Sequence, residues 1–175
     1  NEIKERFYKD LEFGTGGLRG IIGAGSNRIN KYTVRKATQG LCDYINAKGI
    51  KSPSAVIAYD SRRMSPEFAE ETARVFAANG VKAYVFASLR PTPELSFAVR
   101  YLGASAGIVI TASHNPPEYN GYKVYWADGA QVSAPMDKEI IERVNSITDF
   151  GSIAVIGKDE AVKKGLIEYI EGDID

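Results

Sequence analysis

Apolar residues along the chain fall into two rhythms. The first steps by three and four, the period of a helix that buries one side. It covers residues 1–11 through Ile3, Phe7 and Leu11, and residues 31–48 through Val34, Ala37, Leu41, Tyr44 and Ile45. It returns after Ser65 through Phe68, Thr72, Val75 and Phe76, and from Thr92 or Pro93 through Leu95, Val99 and Leu102. The last stretch follows Pro135, with Ile140, Ile141, Val144 and Ile147 as its apolar side. Asp137 and Glu139 in its first turn suit the helix dipole. Ser65 reads as an N-cap and Pro66 as the first helical residue, where a missing N–H costs nothing. Gly49, Gly80 and Gly103 stand where the helices stop.

The second rhythm is the short apolar run. Residues 18–22, 55–59, 81–87, 106–110 and 122–126 are the expected strands, with a turn over 23–27. The unbroken run at 106–110 predicts a strand buried on both faces. Strands alternating with helices predict an α/β fold: a three-layer sandwich whose mixed, mainly parallel sheet carries helices on both faces. Residues 1–160 are expected as one domain. Residues 161–175 are expected as the start of a linker to a second domain, with 166–170 extended and leading out.

Composition narrows the function classes. Lys and Arg number 22 and so do Asp and Glu, which leaves no electrostatic footprint for nucleic acid or an anionic membrane surface. No apolar run approaches the roughly 20 residues of a membrane-spanning helix, and no signal-peptide pattern opens the chain, so a cytoplasmic protein is expected. The single cysteine, Cys42, lies in a helical pattern and reads as a small buried hydrophobe. The chain begins at Asn1 and ends at Asp175 without a terminating pattern, which reads as a piece of something longer.

In sheets of this kind, sites form at the carboxyl ends of strands. Three polar clusters fall there: Asp60-Ser61-Arg62-Arg63, Arg90 to Thr92, and Thr111 to Asn115. A shared crevice is therefore expected. The richest stretch is GIVITASHNPPEYNGYKVYW, residues 107–126, where a polar loop between two strands holds Ser113, the lone His114 and Asn115. A bare serine is a weak nucleophile and needs activation. A Ser–His hydrolase is disfavoured because neighbours in an extended segment point to opposite sides, and no G-x-S-x-G elbow is present. GTGGLRG lacks the lysine of a phosphate-cradling G-x-x-x-x-G-K-[ST] loop. Alternation in the last strand turns Lys123 with Tyr125, away from Tyr122, Val124 and Trp126. Arg19 follows glycines that let backbone approach a ligand, and arginine suits bidentate phosphate contact. Asp60 and Arg62 read as an ion pair buttressing strand ends. Tyr119 and Trp126 read as packing.

TASHNPPEYNGYKVY resembles the phosphoserine loop of the α-D-phosphohexomutases, the phosphoglucomutase and phosphomannomutase superfamily. FGTGGLRG resembles the amino-terminal G-x-R-G segment of that family, and NRIN, RPTPELSF and DGAQVS recur in order, together covering most of residues 12–135. The GTGGLRG form is nearer the phosphoglucomutase and phosphopentomutase branch. The resemblance implies domain one of a larger enzyme. A phosphoryl group on Ser113 would pass to a sugar monophosphate and return from the bisphosphate. It implies Lys123 as general acid or base, His114 as hydrogen-bond donor or proton carrier, and Arg19, Asn115 and Lys123 in substrate and phosphate binding. It also implies Mg²⁺ bound to Ser113 through its phosphoryl group, with glucose 1,6-bisphosphate as activator or intermediate. The family's D-G-D-x-D-R metal loop is not found; Gly172-Asp173-Ile174-Asp175 is a partial echo, read as the start of a linker helix. The expected activity is interconversion of glucose 1-phosphate and glucose 6-phosphate. Phosphopentomutase, phosphomannomutase and a non-catalytic phosphosugar-binding or interaction module are the alternatives. The expected partners are sugar phosphates and the remaining domains of the full-length chain. The isolated piece is expected to be inactive and to dimerise through the face a second domain would cover.

Overall fold

The computed structural model describes residues 1–172 and residue 174. The described residues build one mixed sheet of six strands: β1 (Gly17–Ile21), β2 (Ser54–Tyr59), β3 (Lys82–Phe86), β4 (Ala106–Ile110), β5 (Tyr119–Trp126) and β6 (Ile167–Ile170). Their order is β1-β5-β4-β2-β3-β6. β2, β3, β4 and β6 run parallel, while β5 is antiparallel to both β4 and β1. The α/β class and the mixed, mainly parallel sheet agree with the expectation.

Each strand divides its side chains between two layers. Ala55, Ile57, Ala106, Ile108, Ile110, Tyr122 and Val124 enter the larger core. That core is closed by α2 (Lys31–Ala47), α3 (Ser65–Ala78) and α5 (Met136–Ser146), with Ala161 of α6 (Lys158–Lys163). Val56, Ala58, Val109 and Tyr125 enter a smaller core under α4 (Thr92–Tyr101), against Leu95, Ala98 and Val99. β4 is buried along its whole length, as its apolar run predicts. α2 starts on an Asn30 capping box and buries the predicted Val34, Ala37, Leu41, Tyr44 and Ile45. Cys42 is buried and free, and burial pushes its thiol pKa up.

Three local expectations are corrected. The first helix, α1, covers only Glu2–Phe7 and buries no residue; Ile3 is 71% and Phe7 60% exposed. Its ties are polar instead: Arg6 to Glu2, and Glu5 to the buried Arg28. Ser65 is the first residue of α3 and not its N-cap. That place belongs to Met64, in the left-handed region at φ 67°, because the Ser65 hydroxyl donates to Asp60. Residues 167–170 do not lead outward: they form β6, paired with β3 from Ala83↔Ile167 to Phe86↔Ile170. Asp173 and Asp175 of the expected linker helix lie outside the described residues.

Candidate active site

Two strand ends and one loop make the site. β4 ends at Ile110, and the chain returns into β5 with Val109 opposite Lys123 and Ile110 opposite Tyr122. The intervening segment is the expected polar loop, but it turns at Ser113 instead of running extended, as was expected there in setting aside a Ser–His pair. The Ser113 N–H donates to Thr111 Oγ1 at 2.9 Å and the Asn115 N–H to the Ala112 carbonyl at 3.1 Å. Ser113 sits in the left-handed region at φ 57°. A non-glycine residue held there stores roughly 1–3 kcal/mol, so its surroundings must hold it.

The Lys123 ammonium donates to Ser113 Oγ at 3.3 Å. The alternation predicted for β5 is observed: Tyr122 and Val124 belong to the larger core, Tyr125 to the smaller one. Lys123 shares the face of Tyr125. Burial of the ammonium, then repulsion from Arg19, lower the Lys123 pKa from the ordinary 10.5, while Asp60 pulls it back up. Arg19 pairs across the sheet with Gly121, and Gly17 with Lys123. Both glycines are required by space. A Cβ on Gly17 would lie 1.8 Å from the Tyr122 carbonyl oxygen, and one on Gly121 would lie 2.5 Å from that of Thr111. Without them β1 could not lie close enough to bring Arg19 beside Lys123.

Below the loop a polar network joins the first cluster to the third. Asp60 Oδ1 accepts from the Arg62 N–H at 2.9 Å and the Ser65 hydroxyl at 2.7 Å. The fully buried Asn120 reaches Ser65 Oγ at 2.9 Å and the Arg63 carbonyl at 3.1 Å. The expected Asp60–Arg62 ion pair is present at 3.5 Å. Arg62 does more than that expectation gave it: its terminal nitrogens donate to the carbonyls of Ser113, Asn115, Pro116 and Tyr119. Backbone acceptors leave no mark in a sequence. Asn120-Gly121 did carry a signal, since a glycine inside a strand marks a close backbone approach.

The clusters expected to share a crevice do so in part. Asp60, Arg62, Arg63, Ser113, Asn115 and Glu118 line one cleft of about 750 Å³. The Arg90 N–H donates to the Tyr59 carbonyl at 3.1 Å, beside Asp60 of that cleft. Arg19 lines a neighbouring cleft of about 470 Å³ with Gly17 and Tyr119, so Lys123 is what links it to Ser113. His114 is exposed at the turn, and Asn115 keeps its Oδ1 buried without a hydrogen-bond partner. Trp126 packs edge-on to Tyr44 at 5.3 Å, a core contact as expected. A larger apolar hollow of about 920 Å³, lined by Phe7, Tyr32, Met64, Phe68 and Phe150 among others, holds none of the expected catalytic or binding residues.

Among the described residues no group of three or more His, Cys, Asp or Glu is arranged to hold a metal ion. In the cleft, Asp60 is already engaged by Arg62 and Ser65. These residues do not fit a Mg²⁺ cage by themselves. What they supply is a hydroxyl faced by a lysine of lowered pKa.

A family model described as phosphoglucomutase/phosphomannomutase, alpha/beta/alpha domain I, matches residues 10–150. The chain belongs to this family. Among relatives of this phosphoglucomutase/phosphomannomutase domain, the phosphoglucomutase of Staphylococcus haemolyticus (strain JCSC1435) is 40% identical over 172 residues, covering 98% of this chain. That of Staphylococcus aureus (strain USA300) is 47% identical over 148 residues, covering 85% of it. The chain spans only 31% and 27% of those relatives' lengths. A Thermus thermophilus structure, described as a candidate phosphomannomutase, superposes with a TM-score of 0.72 at 28% identity, over 93% of this chain and 32% of its own. The open form of the Paramecium phosphoglucomutase pp63/parafusin shares the fold, with a TM-score of 0.72 at 21% identity over 87% of this chain and 28% of its own. Among the described residues no helix is long and apolar enough to cross a membrane.

Proposed function

We propose that this chain is the serine-bearing domain of a sugar-phosphate mutase that interconverts glucose 1-phosphate and glucose 6-phosphate through a phosphoserine and glucose 1,6-bisphosphate. One observation carries the reading: Ser113 Oγ is presented from a turn in the left-handed region with Lys123 Nζ at 3.3 Å. The name of the relatives cited at 40% and 47% identity supports glucose as the sugar.

In transfer to the sugar, the bond from phosphorus to Ser113 Oγ breaks and a bond from phosphorus to the sugar hydroxyl oxygen forms. The sugar hydroxyl gives its proton to water or to the imidazole of His114, and Ser113 Oγ gains one from the Lys123 ammonium that faces it. In the return step the Lys123 amine takes the serine proton as Oγ attacks the other phosphoryl group of the bisphosphate; the bond from that phosphorus to the sugar oxygen breaks, and the oxygen leaves as a hydroxyl by taking back a proton from His114 or water. A lysine of lowered pKa gives up its proton more readily than an ordinary one, which suits a group that both donates and accepts. Arg19 offers a guanidinium to phosphate beside Lys123. His114, exposed on the turn, would donate to, or carry a proton for, the moving group, and Asn115 would shape the loop beneath it. Phosphoryl transfer depends chiefly on positioning and charge stabilisation, which is what these groups provide. A Mg²⁺ on the phosphoserine would need carboxylates from outside this chain. Sugar-recognising parts would also come from the remainder of a longer chain, since the relatives extend well beyond the matched region.

Intact-mass and peptide mass spectrometry of the full-length protein tests the reading. A phosphoryl group on Ser113 that disappears on mixing with glucose 1-phosphate is the expected result. Normal turnover by full-length Ser113→Ala would sink it.

A further inference from the structure

We propose that Arg62 is a positioning residue, one that sets the geometry of the Ser113 loop and does not itself bind substrate. The inference rests on Ser113 as the phosphoryl carrier and adds the device that aims it.

An arginine at the rim of a phosphate-handling cleft invites the opposite reading, that of a phosphate ligand. The hydrogen-bond count rules against it. Each terminal guanidinium nitrogen has two N–H groups and Nε has one. Here Nη1 donates to the Pro116 carbonyl at 2.9 Å and the Tyr119 carbonyl at 3.1 Å. Nη2 donates to the Ser113 carbonyl at 2.8 Å and the Asn115 carbonyl at 2.6 Å. Nε faces Asp60 Oδ2 at 3.5 Å. All four N–H groups of the terminal nitrogens are engaged and Nε is turned to Asp60, so a phosphate could take a terminal donor only by releasing the loop.

The acceptors explain the purpose. One carbonyl belongs to Ser113 itself, which is held at φ 57°, and the others follow it through the turn to the first residue of β5. The loop's own side chains do not fasten it to the same degree, since Asn115 Oδ1 is buried without a partner. Arg62 is in turn anchored: Asp60 receives its backbone N–H and faces its Nε, Ser65 donates to Asp60, and Asn120 donates to Ser65. Charge donated to carbonyl oxygens in this fork geometry cannot be reproduced by an ammonium, which is a point donor. Lysine should therefore fail at this position despite keeping the charge.

The test uses the full-length protein with Arg62→Lys and Arg62→Ala, read by hydrogen exchange and by steady-state kinetics. The expected result is faster exchange confined to peptides spanning 111–121, with α2 peptides unchanged. kcat should fall about 100-fold, the scale of an ångström-sized misplacement of a reacting group, with KM little changed. Added guanidinium at low millimolar concentration should restore part of the Arg62→Ala turnover. Unchanged loop exchange with a raised KM and retained kcat would show a substrate contact and overturn the proposal. Exchange rising equally throughout the domain in both variants would also overturn it, by showing a general structural role. The exchange measurement does not depend on Ser113 being phosphorylated. Turnover by Ser113→Ala would thus refute the phosphoserine reading, while loop exchange separately decides the role of Arg62.

Discussion

Tyr122 and Lys123 are adjacent in β5 and live in different worlds. Tyr122 is fully enclosed, and its phenol donates to the Thr38 hydroxyl oxygen of α2 at 3.1 Å, the Thr38 proton being given to the Val34 carbonyl. Burial drives its pKa far above the usual phenol value. Lys123 turns to the other face, where α4 covers only part of the sheet, and meets Ser113. The difference follows from helix coverage. α2, α3 and α5 close one face into the larger core, whereas the other leaves room at the strand ends for charge and for a loop. One strand thus supplies stability with Tyr122 and Val124, while Lys123 on its other face serves the proposed chemistry, and the two roles should separate on mutation.

The largest effect expected is on chemistry alone. Ser113→Ala in the full-length protein should reduce mutase turnover to background while its melting temperature stays unchanged; a joint fall would break the separation. The isolated 175-residue chain should likewise show no conversion of glucose 1-phosphate, and robust conversion would show that it needs nothing further. Lys123→Met should lower kcat by about 10²–10⁴-fold, the usual worth of a general acid–base group. The same change should raise stability at neutral pH. Because the folded-state pKa lies below the ordinary 10.5, the unfolded chain holds this proton more firmly. Wild-type stability therefore rises as pH climbs from the folded value to the ordinary one, and the advantage of Lys123→Met should fade over that window in paired thermal melts.

On the closed face the pattern should invert. Ile108→Ala, at a fully buried β4 position, should cost about 2–5 kcal/mol in denaturant unfolding while kcat of the surviving folded protein holds. Tyr122→Phe should cost only about 1 kcal/mol, because Thr38 keeps its bond to the Val34 carbonyl. A large loss of kcat in either variant would show the faces to be coupled. The smallest effect concerns association. Phe97 and Tyr101 stack at 5.6 Å on the exposed side of α4, and the isolated chain should form a weak dimer in light scattering. A clean monomer at high concentration would count against it.

Most of the frame was legible because burial dictates period. The apolar runs located β1 to β5, and the helical spacing named the buried side of α2 and α5. The sidedness of Lys123 was legible for the same reason. Elsewhere the governing contacts were non-local or made by backbone. β6 looked like an exit because its partner, β3, lies some 80 residues earlier by the pairing of Ala83 with Ile167. α1 looked longer because the Ile3–Phe7–Leu11 spacing was read as a buried face, whereas Leu11 donates its N–H to Ser26 beyond the helix end. The grip of Arg62 on four carbonyls has no sequence counterpart at all.

The pairing of Arg19 with Gly121 has a consequence for how the protein is made. The two residues are separated by most of the chain, and a contact across so long a loop carries a large closure entropy and forms late. During synthesis, β1 must wait on the ribosome for its partner while β2, α3, β3 and β4 are already available to one another. A nascent chain halted before β5 could build a parallel sheet yet would hold its first strand unpaired, exposed to chaperones and to other unfinished copies.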